Sequence, residues 1–286
     1  AQAGLHEVLN GGPRRAATAG PVSLALKLLL APLLLVQALG TRRRAPPLPE
    51  AAGAREGRLG QGGDALHVLI AGDSSAAGVG VAHQDQALAG QLARALHARS
   101  ARPVQWTLRA RSGLTTRQVH ALLRAEALPR ADVAVVVSGV NDVTALVSPR
   151  RAVAQRAALA DWLRAEAGVA QVLFLPLPPV HRFALLPQPL RGVLGRDALA
   201  HNRALRAWAA ACRGVACVDV DFSLPPEAMA SDGFHPGEPV YRACGEAIAA
   251  HIAAHSATHS ATHSATHSAG LAGCWLDGSP GPRAQQ

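Results

Sequence analysis

Two short apolar runs constrain this chain most: Val-Ala-Val-Val-Val at 133–137 and Val-Leu-Phe-Leu at 172–175. Neither alternates with polar residues, so a strand built from either must be buried on both faces. That is the situation of a parallel sheet covered by helices on each side. Strand candidates lie at 66–72, 103–109, 132–138, 170–175 and 215–220, and helical patterns near 84–99, 115–127, 150–167, 197–212 and 238–254 fill the intervals. Strands alternating with helices of this length predict βαβ units and an α/β fold. Aromatic residues make up only 3% of the chain, so its core must be built from Ala, Leu and Val.

The flanks of this pattern read differently. Residues 21–40, PVSLALKLLLAPLLLVQALG, are about as long as the ~20 residues that cross a bilayer. Lys27 and Pro32 weaken a spanning segment, and Arg14, Arg15 and Arg42–Arg44 make both flanks positive. Three readings stay open: an uncleaved membrane anchor, an export signal cleaved after 38–40, and an amphipathic helix lying on a surface. All three expect the membrane as a partner or a route, with its side undefined. Residues 45–63, rich in Pro, Gly, Ala and Arg, read as a linker. The expected division is an N-terminal segment over 1–62, a folded domain over 63–254 and a low-complexity tail over 255–286. In that tail His-Ser-Ala-Thr repeats, which reads as disorder; the alternative is a helix whose His251, His255, His259, His263 and His267 form a metal-binding stripe.

The net charge of +9 raises nucleic-acid binding, but the arginines are scattered among Ala, Gly and Pro rather than gathered on one face, so no nucleic-acid partner is expected. Cys212, Cys217, Cys244 and Cys274 form no CxxC pair and no zinc spacing with histidine, so they read as buried free thiols, with a Cys212–Cys217 bridge across a short loop as the alternative.

The first strong strand, 66–72, runs straight into Gly72-Asp73-Ser74-Ser75. A P-loop needs Gly-Lys-Ser/Thr, and Lys27 is the only lysine of the chain. A dinucleotide loop begins at Gly78-Val79-Gly80, but His83 stands where its last glycine belongs. A nucleophilic serine at a strand C-terminus fits better, provided that a base, an orienting carboxylate and oxyanion donors reach the same edge. Strand 132–138 ends in SGVND and delivers Asn141; the loop after 103–109 offers the backbone N–H of Gly113. SDGFHPGEPVY, following the last strand, carries Asp232 and His235 three residues apart. One short turn then lets the carboxylate reach the imidazole Nδ1 while Nε2 faces the serine.

Gly72-Asp73-Ser74, Gly113, Gly139-Val140-Asn141-Asp142 and Asp232-Gly233-Phe234-His235 resemble the four blocks of the SGNH (GDSL-type) hydrolase superfamily, over roughly 66–252. Ser75 replaces the Leu of the GDSL name. The resemblance implies a three-layer α/β/α, flavodoxin-like fold with a parallel, roughly five-stranded sheet. It also implies an esterase or lipase that cleaves carboxylic esters, or thioesters, through an acyl-serine. Ser74 would be the nucleophile, His235 the base and Asp232 its orienting acid; the N–H groups of Ser74 and Gly113 and the amide of Asn141 would form the oxyanion hole. Asp73 and Asp142 would be scaffold, and no cofactor or metal is required. Gly72–Ala76 nearly matches the G-x-S-x-G of α/β-hydrolases, but Asp232 and His235 sharing one turn argues against that fold.

The stretch after 170–175, PLPPVHRFALLPQPLRGVLGRDALAHN, reads as a long loop bordering the substrate, with Phe183, Leu186 and Leu190 as candidate pocket residues. These predict a lipid-like or small acyl ester. The alternatives are a carbohydrate O-deacetylase of the same fold and a catalytically silent, membrane-anchored binding module.

Overall fold

The computed structural model describes residues 22–44, 48–183, 185–222 and 226–271. Its centre is a six-stranded sheet of β1 (Glu56–Leu59), β2 (Leu66–Gly72), β3 (Val104–Ala110), β4 (Val133–Val137), β5 (Gln171–Phe174) and β6 (Val215–Cys217), in the order β1-β3-β2-β4-β5-β6. The last five are mutually parallel, and β1 adds an antiparallel edge. Counted among the parallel strands alone, the order is the flavodoxin-like 2-1-3-4-5, whose switch point lies between β2 and β4.

Both-sided burial follows from the strand sequences. In β2, Val68 and Ile70 join a cluster with Leu88, Leu92 and Leu96 of α2 (Leu88–Ser100) and with Tyr241, Ile248 and Ile252 of α7 (Glu238–Leu271). Leu69 and Ala71 point the other way, into a second cluster with α3 (Thr116–Arg124), α5 (Pro149–Ala167) and α6 (Leu190–Ala211). Three layers result. The helices start where side chains satisfy the free N–H groups of the first turn. Thr115 and Gln118 form a reciprocal capping box on α3, and Ser148 with Pro149 opens α5.

Three boundaries differ from the sequence reading. The stretch expected as a linker contributes β1: Glu56 through Leu59 pair with Thr107 through Val104, and Ala52 exchanges backbone hydrogen bonds with Ala82 and Gln84. The folded unit therefore includes residues well before 63. Helix α6 begins at Leu190 rather than near 197, because Pro189 suits a helix start and Leu190, Val193 and Leu194 extend the apolar face. Helix α7 continues through the His-Ser-Ala-Thr repeat to Leu271, where disorder was expected, with the rings of His251 and His255 stacked 5.6 Å apart. The Cys274 region lies outside the described residues.

Helix α1 (Leu24–Arg44) packs on α6 through Lys27, whose Nζ is 2.5 Å from Asp197 Oδ2, and through Gln37. Among the described residues no helix is long and apolar enough to cross a membrane.

Candidate active site

Ser74 sits on the turn that leaves β2 at the switch point. The turn is tight because Asp73 N–H donates to Val137 O at 3.0 Å and Ala77 N–H to Asp73 O at 2.9 Å. Only glycine fits before it, since a Cβ on Gly72 would lie 2.1 Å from Val137 O. Asp73 Oδ1 accepts the Ser75 N–H at 3.1 Å, which holds the Ser75 backbone against the turn. Among the described residues, no protein acceptor takes up the N–H of Ser74 itself.

The candidate base arrives from the C-terminal side of the domain. Asp232 Oδ1 accepts the N–H groups of Phe234 and His235, both at 2.9 Å, an Asx turn that folds the histidine back over its own carboxylate. His235 Nδ1 lies 2.6 Å from Asp232 Oδ2, and Nε2 lies 3.1 Å from Ser74 Oγ. With the ring proton on Nδ1, Nε2 is left as an acceptor for the hydroxyl. Burial alone would raise the Asp232 carboxyl; the hydrogen bonds from the His235 ring and from the two backbone N–H groups outweigh it and hold the pKa below the ordinary value.

Gly80 explains how two turns so far apart in sequence meet. Its φ is +106°, and a Cβ there would lie 2.2 Å from Pro236 O, so only glycine allows the turn that follows Ser74 to touch the segment that follows His235. Tyr241 adds a hydrogen bond from its hydroxyl to Val79 O at 2.7 Å. The Gly78-Val79-Gly80 triplet, which fails as a phosphate loop, is a contact surface between the two turns.

The oxyanion candidates lie on loops fastened from behind. Asp142 is fully buried, and its Oδ1 accepts the Thr116 N–H at 2.9 Å while Oδ2 accepts the Thr116 hydroxyl at 2.6 Å. Arg156, also buried, donates to Ser138 O at 3.2 Å and lies 3.6 Å from Asp142 Oδ2. This network joins the β3–α3 loop to α4 (Val140–Thr144), which carries Asn141. Gly113, at φ +81°, is exposed, and no protein group among the described residues accepts its N–H. Glu50 steadies the same loop by accepting the Ser112 N–H at 2.7 Å and pairing with Arg55. Sequence reading missed Glu50 because it stands in a Pro- and Ala-rich stretch. The Asn141 amide donates to Leu114 O at 3.0 Å and makes a longer contact, 3.4 Å, to Asp73 Oδ2.

A cavity of about 370 Å³ opens over Ser74, Asn141 and His235. Gly113 is not among its lining residues. Its walls are apolar, chiefly Phe183, Leu185, Phe222, Met229 and Phe234, with Arg182 as the cation. Of the three pocket residues expected from sequence, Phe183 faces this space. Leu186 and Leu190 do not: both are buried beneath the segment, with Val180 and Ala198. The reason is the early start of α6, which turns Leu190 toward the core. Leu185 takes the position expected of Leu186. Among the described residues no cluster of His, Cys, Asp or Glu could hold a metal ion.

The chain is 32% identical over 200 residues to the GDSL-like esterase Rv1075c of Mycobacterium tuberculosis, an alignment that spans 64% of this chain and 60% of the relative's length. The fold superposes on the lipase Lip_vut3 from a goat rumen metagenome with a TM-score of 0.55 at 20% identity, over 65% of this chain and 96% of that one. It also superposes on a family 3 carbohydrate esterase of Clostridium thermocellum with a TM-score of 0.51 at 15% identity, over 66% of this chain and all of that one. At such identities these two likenesses speak for the fold alone. Residues 70–243, which hold the β2 turn, the Asn141 helix and the Asp232–His235 turn, match the GDSL-like lipase/acylhydrolase family. The chain belongs to that family of ester-hydrolysing enzymes.

Proposed function

We propose that the protein hydrolyses carboxylic esters of apolar acyl groups, with Ser74 as nucleophile, His235 as general base and acid, and Asp232 as the group that orients the imidazole. The observation that carries the reading is the run from Asp232 Oδ2 to His235 Nδ1 (2.6 Å) and from His235 Nε2 to Ser74 Oγ (3.1 Å), opening on an apolar cavity. Ser74 Oγ attacks the acyl carbon as its proton passes to Nε2. The C–O bond to the leaving group then breaks, and the same proton goes to the departing alkoxide. Water, deprotonated by His235, releases the acid and restores the serine.

Charge on the tetrahedral oxygen is met by the unclaimed N–H of Ser74 and by Asn141; Gly113, the third donor expected, does not line the cavity. Asn141 has a hydrogen to offer, because its 3.4 Å contact to Asp73 is the weaker of its two. The phenylalanine, leucine and methionine walls favour an acyl chain over a sugar, since each buried CH₂ contributes about 0.8 kcal/mol. A series of p-nitrophenyl esters from acetate to octanoate tests this: kcat/KM is expected to rise by well over tenfold to a medium-chain optimum. An optimum at acetate, with acetylated sugars as the better substrates, overturns the acyl assignment in favour of a carbohydrate deacetylase.

A further inference from the structure

Helix α1 turns Lys27, Gln37 and Thr41 toward the protein together with Leu30 and Leu34, and most of its leucines away. Lys27, Leu30, Leu34, Gln37 and Thr41 recur at three- and four-residue spacing, and each is partly or fully covered. Lys27 is consumed by Asp197, which also accepts the Val22 N–H at 3.1 Å. The Gln37 amide donates to Gln188 O at 2.6 Å, and its oxygen accepts the Leu190 N–H at 3.0 Å. The opposite side presents Leu28, Leu29, Leu33, Leu35, Val36 and Leu39, between 46% and 78% exposed. A side of that composition is costly in water and marks a surface made for an apolar medium.

The charges around it are of one sign. Residues 24–44 contain no Asp or Glu, the helix ends in Arg42-Arg43-Arg44, and the whole chain carries +9. A second copy of the chain would bring two such charges together; an anionic surface is their complement. Arginines flanking an exposed aliphatic side are also how a helix lies in a lipid interface without crossing it.

We propose that α1 seats the domain on an anionic lipid bilayer, with the Leu28–Leu39 side in the interface and Arg43 and Arg44 on the headgroups. The helix is fastened to the segment that covers the active-site cavity. Leu34 packs into the cluster of Phe183, Leu186 and Leu190, and Phe183 lines the cavity. Seating α1 thereby brings the cavity next to lipid, and this last step alone rests on the ester-hydrolase reading.

Flotation of the full chain with vesicles of phosphatidylcholine, and of phosphatidylcholine mixed with phosphatidylglycerol, tests the proposal. Binding is expected on the mixed vesicles and is expected to weaken in high salt. The double substitution Leu29→Ser with Val36→Ser should lower the bound fraction by about tenfold or more. Arg43→Gln with Arg44→Gln should lower it by roughly tenfold on the mixed vesicles only. All these side chains are exposed, so kcat/KM on a water-soluble ester should be unchanged, which shows the variants folded. Two results overturn the proposal: no flotation of the full chain with mixed vesicles, or equal flotation of the Leu29/Val36 variant. A dimer dispersed by those two substitutions, with no vesicle binding, assigns the side to self-association instead. Vesicle binding by a protein without esterase activity would leave this proposal standing and remove only the catalytic one.

Discussion

Two turns meet at the candidate active site, and each brings a buried aspartate, yet the two carboxyls are driven in opposite directions. Asp73, before the candidate nucleophile, is pushed up to about 7 by its burial, with the nearby Asp142 carboxylate adding to the rise. The hydrogen bonds from the Ser75 N–H and from Asp73's own backbone, with the long contact from Asn141, do not offset that. Asp232, before the candidate base, is less deeply buried and accepts three hydrogen bonds, two from backbone and one from the imidazole, and is pulled down. Only a carboxyl that stays ionised can hold a histidine in one tautomer and stabilise the imidazolium. The environment, rather than the residue type, separates the two carboxyls, and the proposed mechanism uses the one that stays ionised.

The largest effect that would break this contrast is on turnover. Asp232→Asn keeps the turn's shape but supplies no charge, and kcat is expected to fall by about 10³–10⁴. Asp73→Asn should lower kcat by less than about tenfold, because it only props the turn. Equal losses, measured on one ester at saturation, would erase the distinction.

Asn141 lies between the two regions, since its amide contacts Asp73 while its helix lines the cavity. Asn141→Ala is expected to lower kcat by about 10²–10³ with KM little changed, the loss typical of one oxyanion donor. A shift in KM alone would make it a binding residue.

The smallest effect is on stability, and it sharpens the contrast because the signs differ. The Asp73 pKa is raised in the fold, from 3.8 to about 7. The folded chain therefore keeps a proton that the unfolded chain has lost, and stability falls as pH rises across that window. Asp232 is lowered, so its contribution is present above the ordinary carboxyl range and is lost as pH falls below it. Urea unfolding of Asp73→Asn should lack the decline between pH 4 and 7, a difference of up to a few kcal/mol at the upper end. An unchanged slope would mean that Asp73 titrates as an exposed group does.

What the sequence made legible follows from how local each signal is. Continuous apolar runs such as 133–137 announce buried parallel strands, and the functional blocks stand at strand ends because the fold puts loops there. Asp232 and His235 interact across three residues, so their pairing could be read directly. Features that depend on distant partners could not. Strand β1, Glu-Gly-Arg-Leu, has no apolar run and exists through its pairing with β3, some fifty residues away. The direction of Leu186 and Leu190 depends on where α6 starts, which the prolines obscured. The polar residues on the covered side of α1 make sense only once Asp197 and Gln188 are seen against them.

The measurement that bears most directly on the nucleophile turn is peptide mapping after treatment with a fluorophosphonate. Two adjacent hydroxyls compete there, and only that of Ser74 lies 3.1 Å from His235 Nε2, while the Ser75 backbone is tied to Asp73. A single adduct on Ser74, absent in Ser74→Ala and retained in Ser75→Ala, is the expected result. An adduct on Ser75, or undiminished labelling of Ser74→Ala, contradicts it.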